Sequence, residues 1–185
     1  MRIVGGAWRG RALVAPAGQR TRPTADRVRQ AVFDMLLHAP WGGREIVEGA
    51  HVLDVFAGTG ALGLEALSCG AAFACFFEND PAALRALRTN VTACRAEGRV
   101  EIVAGDVMRV GRGRPASLVF LDPPYGQDLV PRAIARLREA GRIGPGALII
   151  AETGRNETWT PDEPVLVERQ HGAARMLIFR TRPAP

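Results

Sequence analysis

The fold is decided by residues 51–63, which have the sequence HVLDVFAGTGALG. The apolar run from His51 to Val55 has the composition of a buried strand. A glycine-rich turn follows it, and an Ala/Leu-rich helix is predicted from Ala61 to Ser68. A strand, a glycine turn and a helix in this order are typical of α/β sheets that bind a ligand at the helix N-terminus. We therefore predict that residues 51–68 form the first strand–helix unit of such a sheet.

The alternation of strands and helices continues to the end of the chain. Further strands are predicted at 72–77, 100–103, 117–121 and 147–151, helices at 81–94 and 129–140, and a closing hairpin at 165–167 and 176–179. Because helices separate the strands, the connections are crossovers and the strands run parallel, with both faces of the sheet covered. The predicted fold class is α/β: a doubly wound, mostly parallel, seven-stranded sheet that ends in an antiparallel hairpin.

The N-terminal residues differ from the rest in charge. All 24 basic residues are arginine, and residues 1–30 contain seven of them against one acid, so that the net charge of +5 resides there. This asymmetry favours a polyanionic partner, although an arm that is merely solvated would explain it too. We expect a basic arm and a helix at residues 1–40, packed on a domain formed by 41–185. Arg9, Arg11 and Arg22 are the candidate contacts to nucleic acid.

Composition argues against several other classes of protein. No stretch approaches the roughly 20 apolar residues of a membrane span, and residues 1–6 lack the apolar core of a signal peptide. The three histidines are far apart and the three cysteines lack metal-ligand spacing. We expect a cytoplasmic protein with no metal and no membrane contact.

Three acids lie at or just after the ends of predicted strands and are candidate ligand-binding residues. Asp54 stands just before the glycines, where its charge would repel a pyrophosphate but attract an ammonium group. Glu78 lies 20 residues after Gly58, about the spacing at which an acid reaches ribose hydroxyls. Asp106 is placed to accept a hydrogen bond from an adenine amine. This combination favours S-adenosyl-L-methionine, which carries adenosine and an ammonium but no phosphate, over a nicotinamide dinucleotide. The candidate cofactor residues are Asp54, Phe56, Gly58, Gly60, Glu78, Asp106 and Val107.

The fourth predicted strand ends in Asp122-Pro123-Pro124-Tyr125, which we call the lip. Its prolines fix φ and remove two backbone donors, so the strand cannot continue. A carboxylate and an aromatic ring are thereby held at the carboxyl edge of the sheet, where ligands bind in α/β folds. The lip suits a flat, hydrogen-bonding substrate such as a nucleobase.

These motifs together resemble class I S-adenosylmethionine-dependent methyltransferases that modify exocyclic amines. Residues 1–11 and 22–29 further resemble the RsmD family of 16S ribosomal RNA guanine-N2 methyltransferases, and the resemblance extends over essentially the whole chain. It implies methyl transfer to a guanine amine of 16S ribosomal RNA, free or within an assembling or assembled small subunit. It also implies that Thr24 and Arg27 lie near the cofactor and the RNA.

The resemblance implies roles for the lip as well. Asp122 and the backbone of Pro123 would accept hydrogen bonds from the amine, Tyr125 would stack on the flipped base, and Asp122 or water would take the released proton. Two positions depart from the family pattern: Gln30 stands where an acid is usual, and His171-Gly172 where tyrosine-glycine is frequent. The main alternative is a DNA adenine-N6 methyltransferase with the same lip. A nicotinamide-dependent oxidoreductase and a non-catalytic RNA-binding module explain fewer of the motifs.

Overall fold

A computed structural model describes residues 1–16 and 23–183, without the side chains of residues 23–25. The strands are β1 (His51–Val55), β2 (Phe73–Glu78), β3 (Val100–Ala104), β4 (Ala116–Leu121), β5 (Ile143–Gly154), β6 (Val165–His171) and β7 (Ala174–Arg180). The α-helices are α1 (Pro23–His38), α2 (Arg44–Val47), α3 (Ala61–Ser68), α4 (Pro81–Ala93) and α5 (Leu129–Glu139), with short 3₁₀ turns at Gly6–Trp8, Glu97–Arg99 and Val107–Arg109.

The seven strands form one sheet in the order β3-β2-β1-β4-β5-β7-β6. β1 to β5 pair in parallel, and β7 is antiparallel to both β5 and β6. Strand order reverses between β1 and β4, the switch point at which open α/β sheets bind ligands. The predicted fold class, a mostly parallel doubly wound sheet with an antiparallel C-terminal hairpin, is confirmed.

Side chains alternate along the buried strands and so build two hydrophobic cores. Val52, Phe76 and Phe120 point to one face, where they pack with the apolar sides of α1, α3 and α4. Leu53 and Phe77 point to the other face, which α5 covers. The charged N-terminal arm therefore lies on the α1–α4 side of the sheet, since Ile3 and Leu13 are buried in the first core.

The arm is a small closed loop that docks on α3. Residues 2 and 12 form an antiparallel bridge. Gly6 has a φ of 68°, and a Cβ atom there would lie 1.9 Å from the carbonyl oxygen of Ser68, so no side chain fits. The Ser68 hydroxyl accepts from Trp8 N–H and donates to Gly5 O. The arm thus packs on the core, while the boundary at residue 40 stays a prediction.

Two features differ from the sequence-based expectation. α2 was not predicted, because its four residues are too short to show a periodic pattern. β5 begins at Ile143 rather than Ala147, because its pairing with β4 shifts register between Ala116 and Leu118 and so accommodates Gly144-Pro145-Gly146. Within the described residues, no helix combines the length and apolarity required to cross a bilayer.

Candidate active site

Asp54 is the next-to-last residue of β1. Asp54 is 2% exposed, and the Gly63 N–H of α3 donates to its carboxyl group over 2.8 Å. Burial, with smaller contributions from Asp122 and Glu78, raises the pKa of Asp54 to about 8. Phe56, two residues later, adopts a φ of 63°, a costly conformation for a bulky residue. Such strain is concentrated at functional sites.

Glu78, at the end of β2, organises the glycine loop. Its carboxylate accepts the Gly58 N–H over 2.6 Å and the N–H groups of Asn79 and Asp80 over 2.8 and 2.7 Å. One oxygen therefore holds the loop after β1, and the other holds the turn into α4. The side chain is half-buried and still borders open space at the carboxyl edge of the sheet.

A cleft of about 480 Å³ opens beside Glu78. Val107 is buried along its wall, and the Asp106 carboxylate caps the following turn by accepting from Met108 N–H over 2.9 Å. Phe77 adds an apolar surface. The cleft combines flat apolar walls with carboxylates at its rim, the arrangement expected for an adenosine. Its lining includes Phe56, Gly58, Glu78, Asp106, Val107, Asp122, Pro123 and Tyr125.

A second cleft, of about 590 Å³, lies on the other side of the lip. It shares Phe56, Gly58, Asp122 and Tyr125 with the first, so the two meet at the lip. Asp54 lines its floor, and the β6–β7 turn at His171 and Gly172 lines its wall. The predicted lip and the predicted glycine turn therefore border two adjoining clefts, which we call the small and the large cleft.

The lip itself is held by carboxylates from β5 and the loop after it. Tyr125 donates its hydroxyl hydrogen to Glu152, and Gly126 N–H donates to Glu157 over 2.7 Å. Asp122 can be reached by water through the cleft mouth, yet protein surrounds most of it. This burial, together with the nearby charge of Glu152, raises the pKa of Asp122 to about 7. Burial and the bond to Glu152 also raise the pKa of Tyr125.

Sequence reasoning missed Glu152. The one signal that could have found it is an acid directly after the apolar run of residues 147–151, as Glu78 comes directly after the run of the second strand. A lone acid in a strand is usually exposed, and only the pairing of β4 with β5 brings this one beside Asp122.

The remaining predicted residues whose side chains the structure describes, and Gly60, line neither of the two clefts. Arg27 is exposed on α1 and lines neither of them. Arg9 is exposed on the arm, whereas Arg11 donates to the carbonyl oxygen of Ala93 at the end of α4. Arg22 and the side chain of Thr24 lie outside the described residues. Within residues 1–16 and 26–183, no three His, Cys, Asp or Glu side chains are grouped to hold a metal ion.

One buried amide connects the arm to the glycine loop. Asn90 of α4 is fully buried; it accepts Val14 N–H over 2.7 Å and donates to Val14 O over 3.0 Å. It also donates to the carbonyl oxygen of Thr59, within the loop, over 2.9 Å. This single side chain therefore bonds both the arm and the loop from its position on α4.

The sheet order, the glycine loop after β1 and the acid-proline lip after β4 define a class I methyltransferase. A family model described as conserved hypothetical protein 95 matches residues 1–180. The chain belongs to this family, and its predicted resemblance to the RsmD methyltransferases is confirmed.

Curated relatives and solved structures agree with this assignment. The chain is 41% identical to ribosomal RNA small subunit methyltransferase D of Escherichia coli over 155 residues, which cover 83% of this chain and 74% of that protein. It is 35% identical to the Haemophilus influenzae protein of the same name over 172 residues, 86% and 85% of the two chains.

Among solved structures, the Escherichia coli protein YhhF superposes with a TM-score of 0.84 at 35% identity, covering 100% of this chain and 99% of its own. An RNA methyltransferase from Salinibacter ruber, in complex with S-adenosyl-L-homocysteine, superposes with a TM-score of 0.60 at 19% identity and covers 89% and 96%. The similarity to the Salinibacter ruber protein shows a shared fold alone.

Proposed function

We propose that this protein transfers a methyl group from S-adenosyl-L-methionine to the exocyclic N2 amine of a guanine in 16S ribosomal RNA. The observation that supports this function best is the meeting of the two clefts at Asp122 and Tyr125. The small cleft suits an adenosine, the large cleft opens to solvent beside the lip, and the lip lies where the two clefts join. The relatives named for ribosomal RNA methylation support the choice of substrate class.

The residues of the site fit this cofactor. Asp54 is a buried carboxyl group with one protein donor, so it can pair with the ammonium group of the ligand. Glu78, Asp106 and Val107 line the small cleft. Glu78 would accept from the ribose hydroxyls there, and Asp106 and Val107 would contact the adenine. When bound, S-adenosyl-L-methionine supplies a methyl group on a positively charged sulfur.

The lip addresses the chemical difficulty of the reaction, which is that the amine lone pair is delocalised into the base. Asp122 and the carbonyl of Pro123 act as acceptors for the two amine hydrogens and so draw the nitrogen toward a tetrahedral geometry. Tyr125, which is 42% exposed, stacks on the base, a contact worth roughly 1–3 kcal/mol. The methylated nitrogen carries one proton in excess, which passes to Asp122 or to water.

The arm would bring the RNA to the clefts. Arg9 is exposed there, and the Arg99 guanidinium lies 5.1 Å above the Trp8 ring, so cationic and aromatic groups share one surface. We infer that the substrate is an assembling or assembled small ribosomal subunit, because so small a chain has little surface for recognising RNA sequence. Such a substrate would place the protein in the cytoplasm. Thr24, Arg27 and Arg22 remain candidates for contacts to cofactor and RNA.

The test is incubation with methyl-labelled S-adenosyl-L-methionine and, separately, naked 16S RNA, small ribosomal subunits or duplex DNA. We expect label in 16S RNA, recovered after digestion as N2-methylguanosine. Label confined to DNA, in N6-methyladenine, would support the adenine methyltransferase instead. Absence of transfer together with NADH binding would support an oxidoreductase.

A further inference from the structure

Besides Asp54 and Asp122, the large cleft contains a third carboxylate, Glu152, whose position is set by strand pairing. Leu121 of β4 pairs with Ala151 of β5 in parallel register, so the next residues, Asp122 and Glu152, follow side by side at the carboxyl edge. Neighbouring strands are about 4.8 Å apart, and residues in register point to the same face of the sheet. Both side chains line the large cleft beside Tyr125.

This pair of carboxylates offers more acceptors than the protein fills. Within the part of the chain whose side chains are described, neither Asp122 nor Glu152 forms a salt bridge. The donor to Glu152 is the Tyr125 hydroxyl. Arg29, which also lines the cleft, directs its guanidinium to Glu65 and Asp26. A carboxylate has about four acceptor positions, so Glu152 can keep the bond from Tyr125 and accept another.

We propose that Glu152 selects guanine, by accepting the N1–H of the flipped base while Asp122 accepts from the adjacent N2 amine. This inference rests on the proposed function and assigns the choice of base to one residue. Guanine carries donors on N1 and on N2, side by side. Adenine and cytosine carry a lone pair on the ring nitrogen next to their amine, which the carboxylate of Glu152 would repel. Bases extracted from a helix are recognised at this same edge.

The Tyr125 hydroxyl completes the arrangement. Because it is bonded to Glu152, the stacking ring and the acceptor for N1–H are fixed relative to each other before the base enters. A guanine that binds here would stack on the Tyr125 ring and donate to the Glu152 carboxylate, both of which are already in position. This lowers the entropy lost on binding.

The inference is tested with 2-aminopurine, which keeps the exocyclic amine but has a lone pair on N1 in place of N1–H. Once the methylated guanine is mapped, 16S RNA carrying 2-aminopurine at that position is prepared by splinted ligation and reconstituted into small ribosomal subunits. We expect wild-type enzyme to prefer guanine by about 10- to 100-fold in kcat/KM, the range for one well-placed hydrogen-bonded pair. Glu152→Gln should bring this preference below about threefold, because an amide can both donate and accept.

Two controls separate base selection from other effects. Glu157→Gln alters a nearby carboxylate that lines neither cleft, and Tyr125→Phe removes the hydroxyl while leaving Glu152 in place. Glu157→Gln should retain the wild-type preference for guanine. Tyr125→Phe should keep most of it, because Glu152 can still accept N1–H although the hydroxyl no longer orients it. The affinity of Glu152→Gln for S-adenosyl-L-methionine, measured by calorimetry, should change less than about twofold.

Each outcome has a distinct meaning. Wild-type preference retained by Glu152→Gln would overturn the inference and leave the proposed function standing. An equal loss of preference in Tyr125→Phe would overturn it too, because Glu152 would then act only by orienting the ring. If wild-type enzyme methylates no guanine of 16S RNA, the proposed function itself fails.

Discussion

The carboxyl group of Asp54 is protonated below about pH 8 in the free protein, because burial disfavours its charge. Its pKa in the folded chain is raised from an ordinary value of 3.8. The fold therefore binds this proton more tightly than the unfolded chain does. The resulting stabilisation is complete below pH 3.8 and is lost as the pH rises through about 8. A neutral side chain at position 54 would make the folded protein more stable, so the acid is retained for its function and not for stability.

Asp54→Asn should raise the stability of the folded protein and lower its affinity for the cofactor. At pH 8 the variant should be more stable than wild type by at least about 1.4 kcal/mol, the equivalent of one pKa unit, since an amide oxygen can still accept from Gly63. Its affinity for S-adenosyl-L-methionine should fall about 10- to 100-fold, because the ammonium loses its charged partner. Urea unfolding at pH 4 and pH 8, with calorimetric titration of the cofactor, measures both. A variant less stable than wild type at pH 8 would contradict the assigned ionisation.

Asp122 should determine how the reaction depends on pH. Its raised pKa, about 7, means that the carboxylate needed as an acceptor forms only as the pH passes that value. We expect kcat/KM to rise between pH 6 and 8 with a midpoint near 7. Asp122→Ala should abolish transfer and leave cofactor affinity within about threefold. Equal loss of both properties would mean that the lip is only structural.

At the scale of elements, a buried ion pair joins the arm, α1 and α3. Glu65 of α3 is 0% exposed and accepts from the N–H groups of Val4 and Gly5 and, over 3.0 Å, from Arg29 Nε of α1. Arg29 also donates to the carbonyl oxygen of Arg2. Removal of one partner leaves the other charged and buried. The free-energy cost of that unpaired charge is larger than the net stabilisation that the pair provides.

Glu65→Ala should therefore lower the free energy of unfolding by about 3–5 kcal/mol. The matched control is Glu48→Ala, because the Arg44–Glu48 pair is exposed and such pairs contribute about 0.2–1 kcal/mol. Denaturant unfolding followed by circular dichroism measures both values. If the two variants lose similar amounts of stability, the pair does not anchor the arm.

At the scale of the whole molecule, the charge of the arm should govern encounter with RNA. Arg9→Ala should weaken RNA binding and reduce the slope of log K against log salt by about 1, the effect of one lost phosphate contact. The control is Arg132→Ala, which removes an exposed arginine from α5, on the opposite face of the sheet. Filter binding of 16S RNA distinguishes the two variants. It is measured between roughly 50 and 200 mM salt, the range over which phosphate contacts weaken. Equal slopes for wild type and Arg9→Ala would leave the arm with a packing role.

Much of the architecture could be predicted because it depends on local pattern. Asp54, Glu78 and Asp122 were recognisable as neighbours, since the carboxyl ends of parallel strands meet at one edge. Other features depend on contacts between distant residues and leave no local signal. Arg11 looks like a free cation in the sequence, yet it donates to Ala93, 82 residues away. Glu152 acquires its place from strand register, which no single stretch of sequence specifies.

The amide of Asn90 implies that RNA and cofactor influence each other's binding. Because it bonds both Val14 of the arm and Thr59 of the glycine loop, restraint of the arm also restrains the loop that borders both clefts. Linkage is reciprocal, so the factor by which RNA changes the affinity for the cofactor equals the factor by which the cofactor changes the affinity for RNA. We expect about five-fold cooperativity or more in titrations with both ligands, and its disappearance in Asn90→Ala. The enzyme would then hold its methyl donor most tightly once RNA rests on the arm.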